Sequence, residues 1–157
     1  MAALIYVLNG PNLNLLGERE PGIYGTATLA DVEALCHRTA GDLGLEVRFH
    51  QSNHEGVLID LLHEAHGAAA RGVVLNGAGL THTSVPLLDA VRAISVPVIE
   101  VHLSNIHARE PWRHHTFPGQ GAKGIIAGLG PMGYALAIQA LAATAPAPPR
   151  SPDLRTA

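Results

Sequence analysis

The chain has 157 residues, 47% of them apolar and only 15% charged, with a net charge of −3 when histidine is neutral. That is the length of one ordinary domain, which buries roughly 68–70% of its unfolded surface and needs no staples. The acidic balance argues against a general nucleic-acid binder, which needs clustered lysine and arginine, and the single cysteine, Cys36, excludes an internal disulfide and a multi-cysteine metal site. So low a charged fraction suggests that part of the surface is buried between subunits. The leading MAALIYVLNG has no basic start and too short an apolar run for a signal peptide. No apolar stretch is long enough to span a bilayer, so a soluble cytoplasmic protein is expected.

Short β-branched runs alternate with helical patterns along the chain. Leu4–Leu8 reads as the first strand. From Thr28 to Leu43, Leu29, Val32, Leu35 and Leu43 fall at helical spacing, and Thr28 with Asp31 resembles a capping box. Leu45–His50 alternates as a second strand. Val57–Ala70 reads as a second helix, with Leu58, Leu61, Leu62 and Ala65 on one face. Gly72–Asn76 is the third strand. Ser84–Ile94 is the third helix, with Ser84 as its N-cap and Pro86 in its first turn. Pro97–Leu103 is the fourth strand, Gly124–Ala127 the fifth, and Pro131–Thr144 the last helix. Five alternations of strand and helix predict a parallel sheet covered on both faces. In so short a chain they predict the flavodoxin-like strand order 2-1-3-4-5. Residues 1–145 are expected to form a single catalytic domain, and 146–157 a disordered Pro-rich tail.

The stretch GLGPMGY, Gly128–Tyr134, has the G-x-G-x-x-G spacing of a dinucleotide-binding loop. That motif counts only inside a strand–helix–strand unit with an acidic residue about 20 positions on. After Gly133 only one helix and the proline tail remain, and Asp153 sits in that tail. The glycines are therefore read as a tight strand-to-helix turn, with Pro131 at the first helical position, and NAD is not expected.

Ligands of a doubly wound sheet bind beyond the carboxyl ends of its strands, at the switch point between the first and third. Three segments there are unusual. The first, residues 9–25, is long for a strand-to-helix connection and carries Asn12, Asn14, Arg19 and Tyr24 among glycines and prolines. A solvated turn would account for Asn-Gly-Pro-Asn but not for the arginine and tyrosine. The second, residues 76–84, is built of small residues that let a ligand approach backbone N–H groups and a helix N-terminus. Thr83 and Ser84 suffice as caps, which leaves His82 for a ligand. The third begins at the end of the fourth strand, where alternation puts Glu100 and His102 on one face. A glutamate in a central strand is rarely buried unpartnered. Beside an imidazole it can fix the tautomer, although a purely structural pair remains the alternative. His63-Glu-Ala-His66 lacks the H-E-x-x-H spacing, and no metal is expected. Cys36 reads as a small core residue and Ser84 lacks a nucleophile elbow.

Four motifs in order, NGPNLNLLGxRxPxxYG, QSNHEGxLID (Gln51–Asp60), NxxxxTHTSxxLxDA and EVHxSNxHARExxR, resemble those of the type II 3-dehydroquinate dehydratases. The resemblance runs from about Leu4 to about Leu141. It implies a flavodoxin-like enzyme that dehydrates 3-dehydroquinate to 3-dehydroshikimate in the shikimate pathway, with no cofactor or metal, as a dodecamer of trimers. It further implies Tyr24 as base, Arg19 and Arg109 favouring its phenolate, Asn12 holding a water against an enolate, and His102 as acid oriented by Glu100. Asn76, His82, Leu103, Ser104 and Arg113 match substrate-binding positions, and Asp89 a residue that reaches a neighbouring subunit's site. Lys123, the only lysine, lies in none of these motifs, which argues against a Schiff-base mechanism. Pro111, Trp112, His114 and Thr116 depart from the family pattern and flank Arg113. The competing readings are a non-enzymatic flavodoxin-like binding module and an NAD enzyme built on GLGPMG.

Overall fold

The computed structural model describes residues 1–144; the expected proline-rich tail lies outside them. Five strands, β1 (Ala3–Asn9), β2 (Leu45–Gln51), β3 (Gly72–Asn76), β4 (Val98–His102) and β5 (Gly124–Ala127), form one sheet in the order β2-β1-β3-β4-β5. Every pairing is parallel. This is the doubly wound arrangement expected from the alternation of elements. Strand alternation then sorts the core. Ile5, Val7, Ile99 and Val101 pack against α2 (Leu29–Asp42) and α5 (Met132–Ala143). Tyr6, Leu8, Val73 and Val98 pack on the other face against α3 (Glu55–Gly67) and α4 (Val85–Ala93).

Local signals explain most boundaries. Thr28 Oγ1 accepts from the Asp31 N–H at 3.2 Å while Asp31 Oδ2 accepts from the Thr28 N–H at 2.9 Å, a complete capping box. Ser84 Oγ accepts from the Leu87 N–H at 2.9 Å and starts α4, with Pro86 in its first turn. α3 spans Glu55–Gly67 rather than the expected 57–70. It starts at Glu55 although His54 makes no side-chain cap, and it stops because Ala69 turns left-handed (φ 49°) and the Ala70 N–H reaches back to the Ala65 carbonyl at 3.0 Å. Segment 9–25, expected as loop, contains a 3-10 turn at Leu13–Leu15 and the one-turn helix α1 (Pro21–Tyr24). α5 begins at Met132, with Pro131 as its N-cap. Gly128 (φ 88°) and Gly130 (φ 60°) take left-handed conformations there, which only glycine adopts freely. They are the turn residues expected, and among the described residues no strand follows α5.

The two segments that leave the switch point touch closely. The Gly10 N–H donates to the Asn76 carbonyl at 2.8 Å, and a Cβ on Gly10 would stand 2.5 Å from the Gly77 carbonyl oxygen. Glycine at 10 is what allows the β1 and β3 exits to converge.

Candidate active site

A cavity of about 180 Å³ opens beyond the carboxyl ends of β1, β3 and β4. Asn12, Arg19 and Tyr24 enter it from the segment after β1, Asn76 and His82 from the segment after β3, and His102, Leu103, Ser104, Arg109 and Arg113 from the segment after β4. Of the residues given a catalytic or substrate-binding role, Glu100 and Asp89 do not line it, and Asn14, noted in the first segment, is exposed outside it. Glu100 lies behind His102. Asp89 is exposed on α4, away from this cavity. Lys123 is exposed at the foot of β5, at the opposite end of the sheet.

Tyr24 stands between two cations. Arg109 Nη1 donates to its Oη at 2.7 Å, and the Arg19 and Arg109 guanidinium carbons lie 5.1 and 5.3 Å from its ring centroid. Two positive charges thus flank the phenol. Arg19 also contacts exposed Glu20 at 3.3 Å, a solvated pair of small worth. Arg109 is held in place from behind, where His114 Nε2 donates to its carbonyl at 2.9 Å.

Glu100 is fully buried and His102 is 5% exposed. Glu100 Oε1 accepts from the Thr116 hydroxyl at 2.8 Å. Its Oε2 lies 3.1 Å from His102 Nε2, a contact distance without hydrogen-bond alignment, so both atoms are buried with no hydrogen-bond partner among the described residues. His82 Nδ1 lies 2.7 Å from the His115 carbonyl, which can only accept. The proton therefore sits on Nδ1 and Nε2 is left as an acceptor. Burial holds the His82 imidazole below its ordinary value, reinforced by His102 and Arg113 and opposed by the His115 carbonyl and Glu100. Arg113 donates through Nε to Glu110 at 2.7 Å and stacks 4.2 Å over the Trp112 ring, itself part of the cavity wall. Among the described residues, no group of three or more His, Cys, Asp or Glu is placed to hold a metal ion, and no helix is long and apolar enough to cross a membrane.

Residues 3–142 match the family model described as dehydroquinase class II. The chain belongs to the class II dehydroquinase family. It is 65% identical over 144 residues to a 3-dehydroquinate dehydratase of Chelativorans sp., covering 91% of this chain and 99% of that one. It is 60% identical over 149 residues to a 3-dehydroquinate dehydratase of Azorhizobium caulinodans, covering 95% and 100%. Among solved structures, a type II dehydroquinase from Propionibacterium acnes superposes with a TM-score of 0.88 at 43% identity, covering 92% and 99% of the two chains. One from Butyrivibrio crossotus gives 0.87 at 39% identity, covering 89% and 97%. The family's activity is that of a type II 3-dehydroquinate dehydratase, a hydro-lyase of the shikimate pathway, and the class II fold is the one described above.

In this class II member several supporting residues were not singled out as functional in the sequence. Asn53 accepts from the Asn12 N–H at 3.0 Å and from Gln51 Nε2 at 3.1 Å, and so holds left-handed Asn12 (φ 69°) at the cavity rim. This gives the QSNHEG motif a structural task. Thr116, noted only as a departure from pattern, is the hydrogen-bond partner of Glu100, and Trp112 is a wall residue. Cys36 is buried in α2, outside the cavity lining, where desolvation pushes its thiol up to about 12.

Proposed function

We propose that the cavity binds 3-dehydroquinate and eliminates water from it through an enolate, with Tyr24 as base and His102 as acid. The substrate is a β-hydroxy ketone bearing a carboxylate. Its elimination needs a base for the proton next to the ketone, stabilisation of the enolate, and an acid for the leaving hydroxyl. The observation that carries the reading is the Tyr24 oxygen, 2.7 Å from Arg109 and flanked by a second guanidinium. The phenolate takes the proton, and the electron pair moves onto the ketone oxygen. There Arg19 and a water held by Asn12 offset the charge. The enolate then reforms the carbonyl, the C–O bond of the β-hydroxyl breaks, and His102 supplies the proton that makes the leaving group water. Solvent returns the proton from Tyr24 to His102. Glu100 stabilises the imidazolium. Asn76, His82, Leu103, Ser104 and Arg113 hold the substrate, His82 through the acceptor at Nε2. No step draws on a cofactor or metal ion.

The chain is further proposed to act in the cytoplasm as a homododecamer built from trimers. Exposed Asp89, far from its own cavity, would reach a neighbour's. Sedimentation at micromolar concentration tests this, and a stable monomer with full activity contradicts it. Tyr24→Phe tests the base. It should keep the fold and the substrate KM while turnover falls by about 10²–10⁴, the usual worth of a positioned acid or base. Full turnover in that variant removes Tyr24 from the mechanism.

A further inference from the structure

Dinucleotide binding does not explain the Gly128–Tyr134 turn, but its last residue suggests what it serves. Gly128 and Gly130 reverse the chain after β5, and their N–H groups donate to the carbonyls of His102 (3.2 Å) and Leu103 (3.0 Å), both cavity residues. The turn thus ties the start of α5 to the end of β4 and delivers Tyr134, which is fully buried. The Tyr134 hydroxyl donates to Asn9 Oδ1 at 2.7 Å and accepts from Asn76 Nδ2 at 2.8 Å. Asn9 and Asn76 are cross-strand partners at the ends of β1 and β3, on the floor of the switch point.

Every proton in this network has one possible place. Asn9 Nδ2 donates to the His50 carbonyl at 3.0 Å, and a carbonyl only accepts, so Asn9 must turn its oxygen to Tyr134. Asn76 Oδ1 takes the Ala78 N–H at 3.1 Å, and an N–H only donates, so Asn76 must turn its NH2 to Tyr134. The single hydroxyl proton then belongs to Asn9, and both amide orientations are settled without ambiguity. Among the described residues, one N–H of Asn76 remains unshared. We infer that Tyr134 is a positioning residue for substrate binding: it locks the Asn76 amide so that this N–H is the donor offered to a substrate oxygen. Burial also raises the Tyr134 phenol above its ordinary range, so the lock keeps its proton across the working pH.

The inference rests on the proposed dehydratase reading, and wild-type turnover of 3-dehydroquinate checks that reading separately. Given turnover, Tyr134→Phe removes one oxygen and leaves the Asn76 amide held by the Ala78 N–H alone. One lost hydrogen bond near 1.4 kcal/mol corresponds to about a tenfold rise in KM, with kcat changed far less. A general loosening of the core would lower stability as well, so the deciding readout is a double-mutant cycle. In an Asn76→Ala background, adding Tyr134→Phe should leave KM within about twofold, because there is no amide left to position. A wild-type KM in Tyr134→Phe, or equal KM effects in both backgrounds, overturns the proposal. Should Tyr134→Phe not fold, a neutron crystal structure of the wild-type protein with 3-dehydroshikimate, which distinguishes amide oxygen from nitrogen, decides. Asn76 Nδ2 should contact both Tyr134 and a ligand oxygen, and an amide with Oδ1 toward the ligand overturns it.

Discussion

Thr116→Val is the sharpest test of how the proposed acid is supported. The hydroxyl of Thr116 donates to Glu100 Oε1 at 2.8 Å, and its oxygen accepts the Gly119 N–H at 2.8 Å. Valine keeps the volume and removes both bonds, so no cavity confuses the result. Glu100 is fully buried, and no solvent can replace the lost donor. A hydrogen bond to a buried charged group is worth about 1.5–3 kcal/mol. For a chain of this size each kcal/mol moves the melting temperature by about 2–4 °C, so calorimetry at fixed protein concentration should show a drop of about 3–12 °C. If half of the loss also appears in the transition state, where Glu100 faces the proposed acid His102, kcat falls about three- to tenfold. Thr116→Ser keeps the hydroxyl and loses one methyl, at about 1 kcal/mol or less, with kcat near wild type. A valine variant that melts within about 1 °C of wild type and turns over normally would refute the claim that this hydroxyl holds Glu100.

Three further outcomes are expected. Arg109→Lys keeps the charge but not the planar donor that meets Tyr24 at 2.7 Å. Its kcat should fall about tenfold or more, as for loss of a bond worth 1.4 kcal/mol, while an unchanged kcat shows that charge alone suffices. Gly10→Ala places a Cβ 2.5 Å from the Gly77 carbonyl oxygen. Forcing these backbones apart should cost about 1–3 kcal/mol in urea unfolding and raise KM, and a neutral effect contradicts the close approach. His82 binds its proton less readily folded than unfolded. The unfolded chain therefore holds more protons as pH falls below about 6.5. Stability linked to His82 is complete above that value and is lost as pH drops through the window below it. Its NMR titration midpoint should lie below 6.5, with KM rising on acidification; a midpoint at or above that value contradicts the assignment of a neutral ring.

Strand order and most boundaries were legible because they depend on local pattern. Gly72–Asn76 was readable as β3 from its β-branched run, and α2 from Thr28 and Asp31 three positions apart. α1 was not, since four residues carry no period. The end of α3 was missed because Ala68–Ala70 continue an apolar helical pattern, while the stop comes from the left-handed turn at Ala69. Asn12, Arg19, Tyr24, His82 and His102 could be found because a doubly wound sheet collects the exits of β1, β3 and β4, and polar residues there have few structural tasks; Asn76, Leu103, Ser104, Arg109 and Arg113 came from the family resemblance alone. Their supports were invisible for the opposite reason. Asn53 meets Asn12 across 41 residues, Tyr134 meets Asn9 across 125, and no periodicity encodes such pairings. Glu100 and His102 lay between, two apart on one strand. Alternation put them together, but the Thr116 bond that completes the arrangement comes from another segment.

The most direct measurement is to add 3-dehydroquinate to the purified wild-type protein in EDTA, with no added cofactor, and to follow ultraviolet absorbance. The product carries a conjugated enone and the substrate does not. Absorbance should rise in proportion to enzyme, and Tyr24→Phe should abolish most of the rise. A flat trace from folded, assembled wild-type protein would contradict the account.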